Sequence, residues 1–248
     1  MMLVGDVADA RTPRPSHSLR VVSETWSFSF ADPRGRFFCH GRDGRALLAT
    51  DKAVLDAELA GEGPFRLRGP ALGELELEPL GPPVSFEHGT RREWICRGSG
   101  RSAKGEKLDG YGAVAAGPGP LAGVALRRTL WLCIEGKLAI SGLAERVASE
   151  DPHGAEWLEV HVARGTPIEP SRVADPRLST TYDAEQRVLR AGLELWEDEI
   201  EGERERGGAL RLAGETVAGG DLEGVAVTFM VWHRGEGQGV GCYTIERA

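Results

Sequence analysis

The feature that most constrains the fold is a succession of short segments in which apolar and polar residues alternate, from Leu19 to the end of the chain. Alternation with a period of two is the pattern of a β-strand that has one buried face. The segments recur about every ten residues and are separated by Gly, Pro and Asp, which is typical of antiparallel sandwiches and barrels. We therefore predict an all-β protein whose neighbouring strands are joined by short turns.

A Gly- and Pro-rich stretch from Ala115 to Gly123 divides these segments into two sets of similar size. We predict an N-terminal arm over 1–18, a first β-unit over 19–119 and a second β-unit over 120–248, the two units being antiparallel barrels or sandwiches packed together. One segment departs from the pattern. In 51–61, apolar residues recur with a helical period after Asp51, a possible cap, so we predict a short helix there.

Composition excludes several classes of function. The net charge of −8 disfavours a nucleic-acid partner, because binding to phosphates requires concentrated positive charge. No run approaches the ~18 apolar residues of a membrane span, and no leader-like apolar segment follows a basic start, so we predict a cytoplasmic protein without a membrane span. The absence of Asn and the excess of Arg over Lys favour a GC-rich bacterial source. The oligomeric state is left open.

Neither a metal nor an organic cofactor is predicted. The four cysteines each lie in an apolar run, which favours buried thiols over disulfides. Cys39 and His40 are adjacent and would point to opposite faces of a strand, and the chain has no Cys-x-x-Cys or His-Glu-x-x-His motif. The glycines of 235–239 join two strands and open no helix, so they do not form a phosphate cradle. A Gly-x-Ser-x-Gly elbow is absent as well.

One strand places a carboxylate among aromatic rings. The period of two puts Glu24, Trp26, Phe28 and Phe30 on one face, which is either a packed core or the wall of a pocket. Burial would raise the pKa of Glu24, so that it could hold and donate a proton at neutral pH. The alternative is an idle carboxylate paired with an arginine at the surface, in which case the role passes to another carboxylate such as Asp109 or Glu93.

A second group of candidate site residues lies in the segment 156–162. Its alternation places Trp157, Glu159 and His161 together, opposite three aliphatic residues. They form either a solvent-facing surface or a wall on which Glu159 or His161 exchanges protons with a substrate. The predicted catalytic residues are therefore Glu24, Glu159, His161 and Asp109, although Asp109 also suits a turn. The predicted substrate-binding residues are Trp26, Phe28, Phe30, Phe86, His88, Trp94, Tyr111, Trp157 and Trp232, with a core role as the alternative for His88.

Several of these pieces together resemble a known superfamily. They are the opening segment 24–30 with Asp-Pro-Arg-Gly after it, the segment Asp109-Gly110-Tyr111-Gly112, and the closing hairpin formed by 231–233 and 239–243. The chain resembles the lipocalin-like two-domain superfamily of carotenoid 1,2-hydratases (hydroxyneurosporene synthases), AttH-like proteins and tocopherol-cyclase-like proteins. The resemblance implies a pair of lipocalin-like β-barrel domains with an apolar cavity for an isoprenoid, polyketide or lipid. It also implies proton-initiated hydration, cyclisation or pericyclic ring closure, usually without a cofactor.

The leading hypothesis is a cofactor-independent enzyme that cyclises, hydrates or isomerises a small hydrophobic molecule of isoprenoid or polyketide type. A protonated carboxyl group against an apolar wall can protonate an alkene, and aromatic faces stabilise the cation that results. The alternatives are a non-catalytic carrier of an apolar ligand and a structural protein whose two units simply pack. An apolar cavity with an unpaired carboxylate favours the enzyme, a purely apolar cavity favours the carrier, and a filled interior favours the structural protein.

Overall fold

The computed structural model of the protein describes residues 24–87, 91–119, 123–148, 156–165, 169–196 and 209–247. These ranges contain strands and no helix. The predicted N-terminal arm lies outside them. The first sheet contains β1 Thr25–Ala31, β2 Phe38–Arg42, β3 Arg45–Leu48, β4 Ala53–Asp56, β5 Glu58–Ala60, β6 Phe65–Gly69, β7 Gly73–Pro79, β8 Val84–Ser85, β9 Arg92–Arg101 and β10 Lys107–Gly117. The second contains β11 Val124–Ile134, β12 Leu138–Val147, β13 Glu156–Arg164, β14 Glu169–Arg172, β15 Asp175–Tyr182, β16 Val188–Trp196, β17 Leu210–Leu222, β18 Val225–Arg234 and β19 Gly237–Arg247.

The two sheets are antiparallel and curled, and they form barrel and half-barrel units. The first has the strand order β4-β3-β2-β1-β10-β9-β7-β6-β5, with β8 added beside β9, and the second has β14-β13-β12-β11-β19-β18-β17-β16-β15. The all-β prediction is therefore confirmed. The chain passes from one sheet to the other between Gly117 and Val124, while Ala115–Gly117, which the sequence suggested as part of a linker, belongs to β10.

The predicted helix over 51–61 is wrong. Its residues form β4, which pairs with β3, and β5, which pairs with β6. Leu55, Ala57 and Leu59 follow one another at every second position and all pack against the core of the first sheet. The apolar residues of this short segment are therefore compatible with a helical period of 3.6 and with a strand period of two. Pairing with neighbouring strands satisfies the backbone hydrogen-bonding groups, whereas a short isolated helix is only marginally stable.

The interior of the first sheet is a packed aromatic and aliphatic core. Phe28 and Phe30 are buried in it, and Trp26 packs at its margin, as the alternation of β1 predicted. Gly41 lies directly opposite Phe28 on β2, and a Cβ atom built at Gly41 would lie 2.0 Å from the Phe28 ring. The glycine therefore makes room for the ring, which fills the space where a neighbouring side chain would stand.

The two sheets share a second core between them. The opposite face of the β1–β3 region packs against β11, β18 and β19, with Phe38, Leu47, Trp131 and Phe229 among the buried residues that meet there. Trp131 Nε1 donates a hydrogen bond of 2.5 Å to Ser29 Oγ across this contact. Because both faces of β1 are covered at its C-terminal half, Ser29 is buried although its place in the alternation is typical of a solvent-facing residue.

The predictions on cysteine are confirmed: Cys39, Cys96, Cys133 and Cys242 are free and buried. Burial raises the pKa of all four thiols, so they are neutral packing groups. The described residues bring together no group of three or more His, Cys, Asp or Glu side chains suited to a metal ion. None of the described segments is a helix of the length and apolarity needed to cross a membrane.

Candidate functional site

Two adjoining clefts lie between the sheets, and together we call them the inter-sheet cleft. The outer cleft has a volume of about 50 Å³ and the inner cleft about 10 Å³. Both are lined by Ser27, His40, Arg91, Thr129 and Thr244. The other residues of the outer cleft are Thr25, Arg42, Gly117, Pro118, Gly119, Arg127, Val225 and Glu246. The other residues of the inner cleft are Phe28, Ser29, Glu93, Ala113, Ala115, Trp131 and Cys242.

The polar character of this cleft comes from residues at every second position of the strands that meet there. On β1, Ser27 and Ser29 point away from the aromatic core, and on β2 His40 points away from the buried Cys39. On β11 and β19, Thr129 and Thr244 face the same space, and their hydroxyl oxygens lie 2.6 Å apart. The site is therefore polar, which differs from the apolar cavity that the family resemblance implied.

Glu93 lies at the inner end of the cleft and is 3% exposed. Its Oε2 accepts a hydrogen bond of 3.2 Å from Arg91 Nη2, while its Oε1 and the Ser141 hydroxyl have no hydrogen-bond partner among the described residues. Burial raises the pKa of Glu93, and the charge of Arg91, the nearby Ser141 hydroxyl and the charge of His161 only partly offset this effect. Glu93 is thus a buried carboxyl group, disposed to hold a proton, with the Ser141 hydroxyl as its polar neighbour on the side away from Arg91.

His40 lines the same cleft as Glu93 and Arg91, from β2 of the same sheet, and is also buried. Burial, together with the charges of Arg91 and Arg42, lowers the pKa of His40 to about 3. The imidazole is therefore neutral at physiological pH, with one ring nitrogen able to donate and the other to accept a hydrogen bond. Its Nδ1 has no partner among the described residues.

Two ion pairs border the outer cleft. Arg42 Nη1 donates a hydrogen bond of 2.7 Å to Glu246 Oε1, which connects β2 of the first sheet to β19 of the second. Arg127 Nε donates one of 2.6 Å to Glu145 Oε1, and its Nη1 donates one of 3.1 Å to the carbonyl oxygen of Pro118. Both carboxylates near the entrance are therefore already paired with a guanidinium group.

The predicted wall on β13 faces the first sheet. Glu159 is 1% exposed, and its Oε1 lies 2.7 Å from Nε2 of His161. Its Oε2 accepts a hydrogen bond of 3.2 Å from the backbone N–H of Glu87. Phe86 contacts His161 edge to face, with centroids 5.4 Å apart, and Trp157 packs on the same small cluster. The structure thus brings Glu159, His161, Phe86 and Trp157 together, and His161 is near enough to Glu93 to act on its charge.

The structure places the other two predicted carboxylates at the surface. The Glu24 side chain is 46% exposed and its Oε1 accepts a hydrogen bond of 2.9 Å from Arg92. The Asp109 side chain is 47% exposed and binds Arg97 through both oxygens, in strand β10 and not in a turn. The burial on which the proton-donor prediction for Glu24 depended is therefore missing, because the strand begins at the open end of the sheet.

The remaining predicted substrate residues are dispersed. Trp26 stacks on Trp94, with ring centroids 6.0 Å apart, and both belong to the margin of the first core. Tyr111 packs against the core between the sheets beneath Arg97, and Trp232 is fully buried inside the second sheet. His88 lies outside the described residues. None of the described members of this group other than Phe28 lines the inter-sheet cleft.

Arg91 and His40 are the site residues that sequence reasoning missed, and Glu93 was only a fallback. Arg91 precedes β9, where an arginine looks like an ordinary turn residue, and His40 was weighed only as a metal ligand beside Cys39. In the sequence, only the alternation of residues at β2 and around β9 indicates their position. It places His40 and Arg91 on the strand face opposite the core of the first sheet. That signal does not reveal whether the other face meets water or a second sheet.

Comparisons with known proteins support the fold. No protein-family model matches the chain, and a search of curated proteins finds no match. Among solved structures, an AttH candidate from Nitrosomonas europaea is 12% identical and has a TM-score of 0.58, over 90% of this chain and 92% of that one. A protein of unknown function from Nostoc punctiforme is 11% identical over 90% of this chain and 95% of that one, but its TM-score of 0.19 is too low to bear on the fold. The first likeness shows a shared fold and supports the lipocalin-like resemblance at that level.

Proposed function

We propose that the protein is a cofactor-independent enzyme in which protonated Glu93 drives the cyclisation, hydration or isomerisation of an isoprenoid- or polyketide-type substrate. The observation that carries the proposal is the setting of Glu93, a buried carboxyl group with an unpartnered oxygen that lines a cleft between the two sheets. General acid catalysis at neutral pH is favoured by a carboxyl group whose pKa lies above its ordinary value, and burial shifts the pKa of Glu93 in that direction.

The proposed reaction consumes one proton from Glu93 and returns one proton to it. The Glu93 carboxyl group gives its proton to one carbon of a double bond, whose π electrons form the new C–H bond and leave a cation. A second double bond or a water molecule then attacks that cation, or a neighbouring C–H bond gives up its electrons. Each route releases one proton, which returns to the Glu93 carboxylate, so the enzyme ends as it began.

The pair formed by Glu159 and His161 is suited to support this chemistry. While Glu93 is ionised, a nearby imidazole stabilises the negative charge, and Glu159 fixes the ring through its 2.7 Å contact. We assign His161 as the second acid or base, with Glu159 as the group that orients it. Phe86, which meets His161 edge to face, closes this side of the site against water.

The experiment compares Glu93→Gln with Glu24→Gln. Both substitutions remove a carboxylate, but Glu24 is at the surface and bound to Arg92, so Glu24→Gln is the matched control. Each protein is purified, the small molecules that co-purify are extracted and identified by mass spectrometry, and the extract from Glu93→Gln is then incubated with each purified protein. We expect the wild-type protein and Glu24→Gln to convert the extracted compound and Glu93→Gln to be about 10²–10⁴-fold slower.

The products also discriminate between reactions. Hydration increases the mass by one water molecule, whereas cyclisation and isomerisation change retention without changing the mass. Conversion by Glu93→Gln at the wild-type rate would show that another group supplies the proton. A compound that every protein binds and none converts would instead favour the carrier, which shares this cleft but needs no acid.

A further inference from the structure

Two buried side-chain nitrogens of the inter-sheet cleft, Arg91 Nε and His40 Nδ1, have no hydrogen-bond partner among the described residues. Glu93 Oε1 lies in the same cleft but accepts from neither of them, and Glu246 and Glu145 are paired with Arg42 and Arg127. The N–H of Arg91 is always a donor, and a buried donor without a partner is unfavourable because it has lost its hydrogen bonds to water.

The charge in the cleft is also incompletely balanced. Arg42 pairs with Glu246 and Arg127 pairs with Glu145, whereas the one carboxyl group that pairs with Arg91 among the described residues is that of Glu93, at 3.2 Å. When Glu93 holds its proton and His40 is neutral, the guanidinium charge of Arg91 has no counter-ion beside it. A nearly buried charge of this kind favours the uptake of one compensating negative charge.

The volume limits what can enter. A space of about 50 Å³ in the outer cleft accommodates a few water-sized groups. It is too small for a whole isoprenoid but sufficient for a planar group of about three heavy atoms. A carboxylate or enolate has that size, carries a single charge, and matches the planar fork of a guanidinium group.

We propose that the inter-sheet cleft binds the anionic oxygen-bearing end, a carboxylate or enolate, of an otherwise apolar molecule, with Arg91 as its principal partner and His40 as a second donor. This inference rests on the proposed function in that it names the substrate class of the same site. It places the oxygens of the ligand beside Arg91, the double bond next to them within reach of Glu93, and the rest of the carbon chain toward the entrance. The binding step itself, however, does not require Glu93 to transfer a proton.

Binding of this kind is linked to the protonation of Glu93. As the pH rises and Glu93 ionises, it becomes the counter-ion of Arg91 and competes with the ligand. The groups that face Glu93 are Arg91 and Cys96 from its own region of the chain, His161 on β13, His40 on β2 and Cys242 on β19. The two cysteines are neutral, so the competition is mainly between Glu93 and the ligand for one guanidinium group.

The test uses octanoate and its neutral isostere octanamide as probes, with the intact chain and isothermal titration calorimetry. We expect octanoate to bind and to raise the melting temperature of the wild-type protein, and octanamide to do neither at the same concentration. Arg91→Gln should bind octanoate at least about tenfold more weakly, as expected for the loss of a charge-assisted hydrogen bond. Arg66→Gln is the matched control, because Arg66 is an exposed arginine paired with Glu76.

The pH dependence separates this inference from the proposed function. Over the range in which octanoate itself is ionised, octanoate should bind the wild-type protein more weakly as the pH rises through the pKa of Glu93. It should bind Glu93→Gln with the same affinity throughout that range, because glutamine cannot ionise. Equal binding of octanoate and octanamide, or undiminished binding to Arg91→Gln, would overturn the inference even if Glu93→Gln is inactive. Conversely, a fully active Glu93→Gln that still binds octanoate through Arg91 would overturn the proposed acid and leave this site intact. If Arg91→Gln does not fold, Arg91→Lys, which retains the charge, must retain part of the affinity.

Discussion

Glu24 and Glu93 show how a residue's surroundings, and not its neighbours in sequence, determine its chemistry. Glu24 shares a strand face with three aromatic residues, yet its carboxylate is half-exposed and bound to Arg92. Glu93 has an unremarkable sequence context, yet it is 3% exposed and lines the inner cleft. Burial raises the pKa of Glu93 by removing water from its carboxyl group.

His40 and Glu93 make opposite contributions to stability as the pH changes. The pKa of His40 falls from 6.5 in its ordinary state to about 3 in the folded protein, so below pH 6.5 the unfolded chain takes up a proton that the native protein does not. The neutral His40 side chain therefore makes its full contribution to the stability of the native protein above pH 6.5, and this contribution is lost as the pH falls toward 3. Relative to His40→Gln, we expect the wild-type protein to lose about 1 kcal/mol per pH unit in this window, measured by urea unfolding.

The contribution of Glu93 to folding stability should change with pH in the opposite direction. Burial raises the pKa of the folded carboxyl group above its ordinary value of 4.5, so the native protein retains a proton that the unfolded chain has lost. This contribution to stability is complete below pH 4.5 and disappears as the pH rises through the pKa that Glu93 has in the folded protein. Relative to Glu93→Gln, the wild-type protein should lose stability with rising pH. A difference that stays constant with pH for both variants would show that neither group is buried as described.

At the scale of the element, β1 has one face in the core of the first sheet and the other face against the second sheet and the cleft. Its aromatic residues fill the core of the first sheet and its serines and Thr25 face the second sheet or the cleft. Alternation in the sequence predicted the division into two faces and most of the strands, including β11, β12 and β13. It failed at 51–61, where a short segment is compatible with both periods and strand pairing decided the outcome.

Phe28 provides the test at this scale. Its ring fills the space above Gly41 on the neighbouring strand, so its removal opens a void that the backbone of β2 cannot easily fill. We expect Phe28→Ala to lower the free energy of unfolding by about 3–5 kcal/mol, measured by chemical denaturation. Phe28→Leu, which keeps most of the volume, should cost clearly less. Equal losses for the two variants would indicate that the ring does not pack as a core residue.

At the scale of the whole molecule, the two sheets are joined by a common core and not only by a linker. Residues from β1, β2 and β3 pack with residues from β11, β18 and β19 in one apolar cluster. The hydrogen bond from Trp131 to Ser29 and the ion pair between Arg42 and Glu246 cross the same contact. The cleft exists because these two faces meet around polar residues that do not fill the space between them.

A shared core predicts cooperative unfolding. Far-ultraviolet circular dichroism and tryptophan fluorescence should follow the same single transition in urea. Ser29→Ala leaves the buried Trp131 N–H without its acceptor, and we expect it to lower the stability of the whole protein by about 1–3 kcal/mol without splitting the transition. Two separate transitions, of which only one moves in Ser29→Ala, would show that the sheets unfold independently.

By itself, the sequence determined the all-β class, the division of β1 and β13 into two faces, and the burial of the cysteines. These properties follow from local alternation and turn chemistry, which depend on residues close together in the chain. The tertiary structure alone decided which polar faces are buried and which carboxylate loses its water. Ser29 and Trp131 are 102 residues apart. Glu93, His40 and Arg91 share one face because β2 and β9 belong to the same sheet, and they are buried because the second sheet covers that face. Burial depends on what covers a face, and the covering sheet is formed by a distant part of the chain, so periodicity within one strand cannot reveal it.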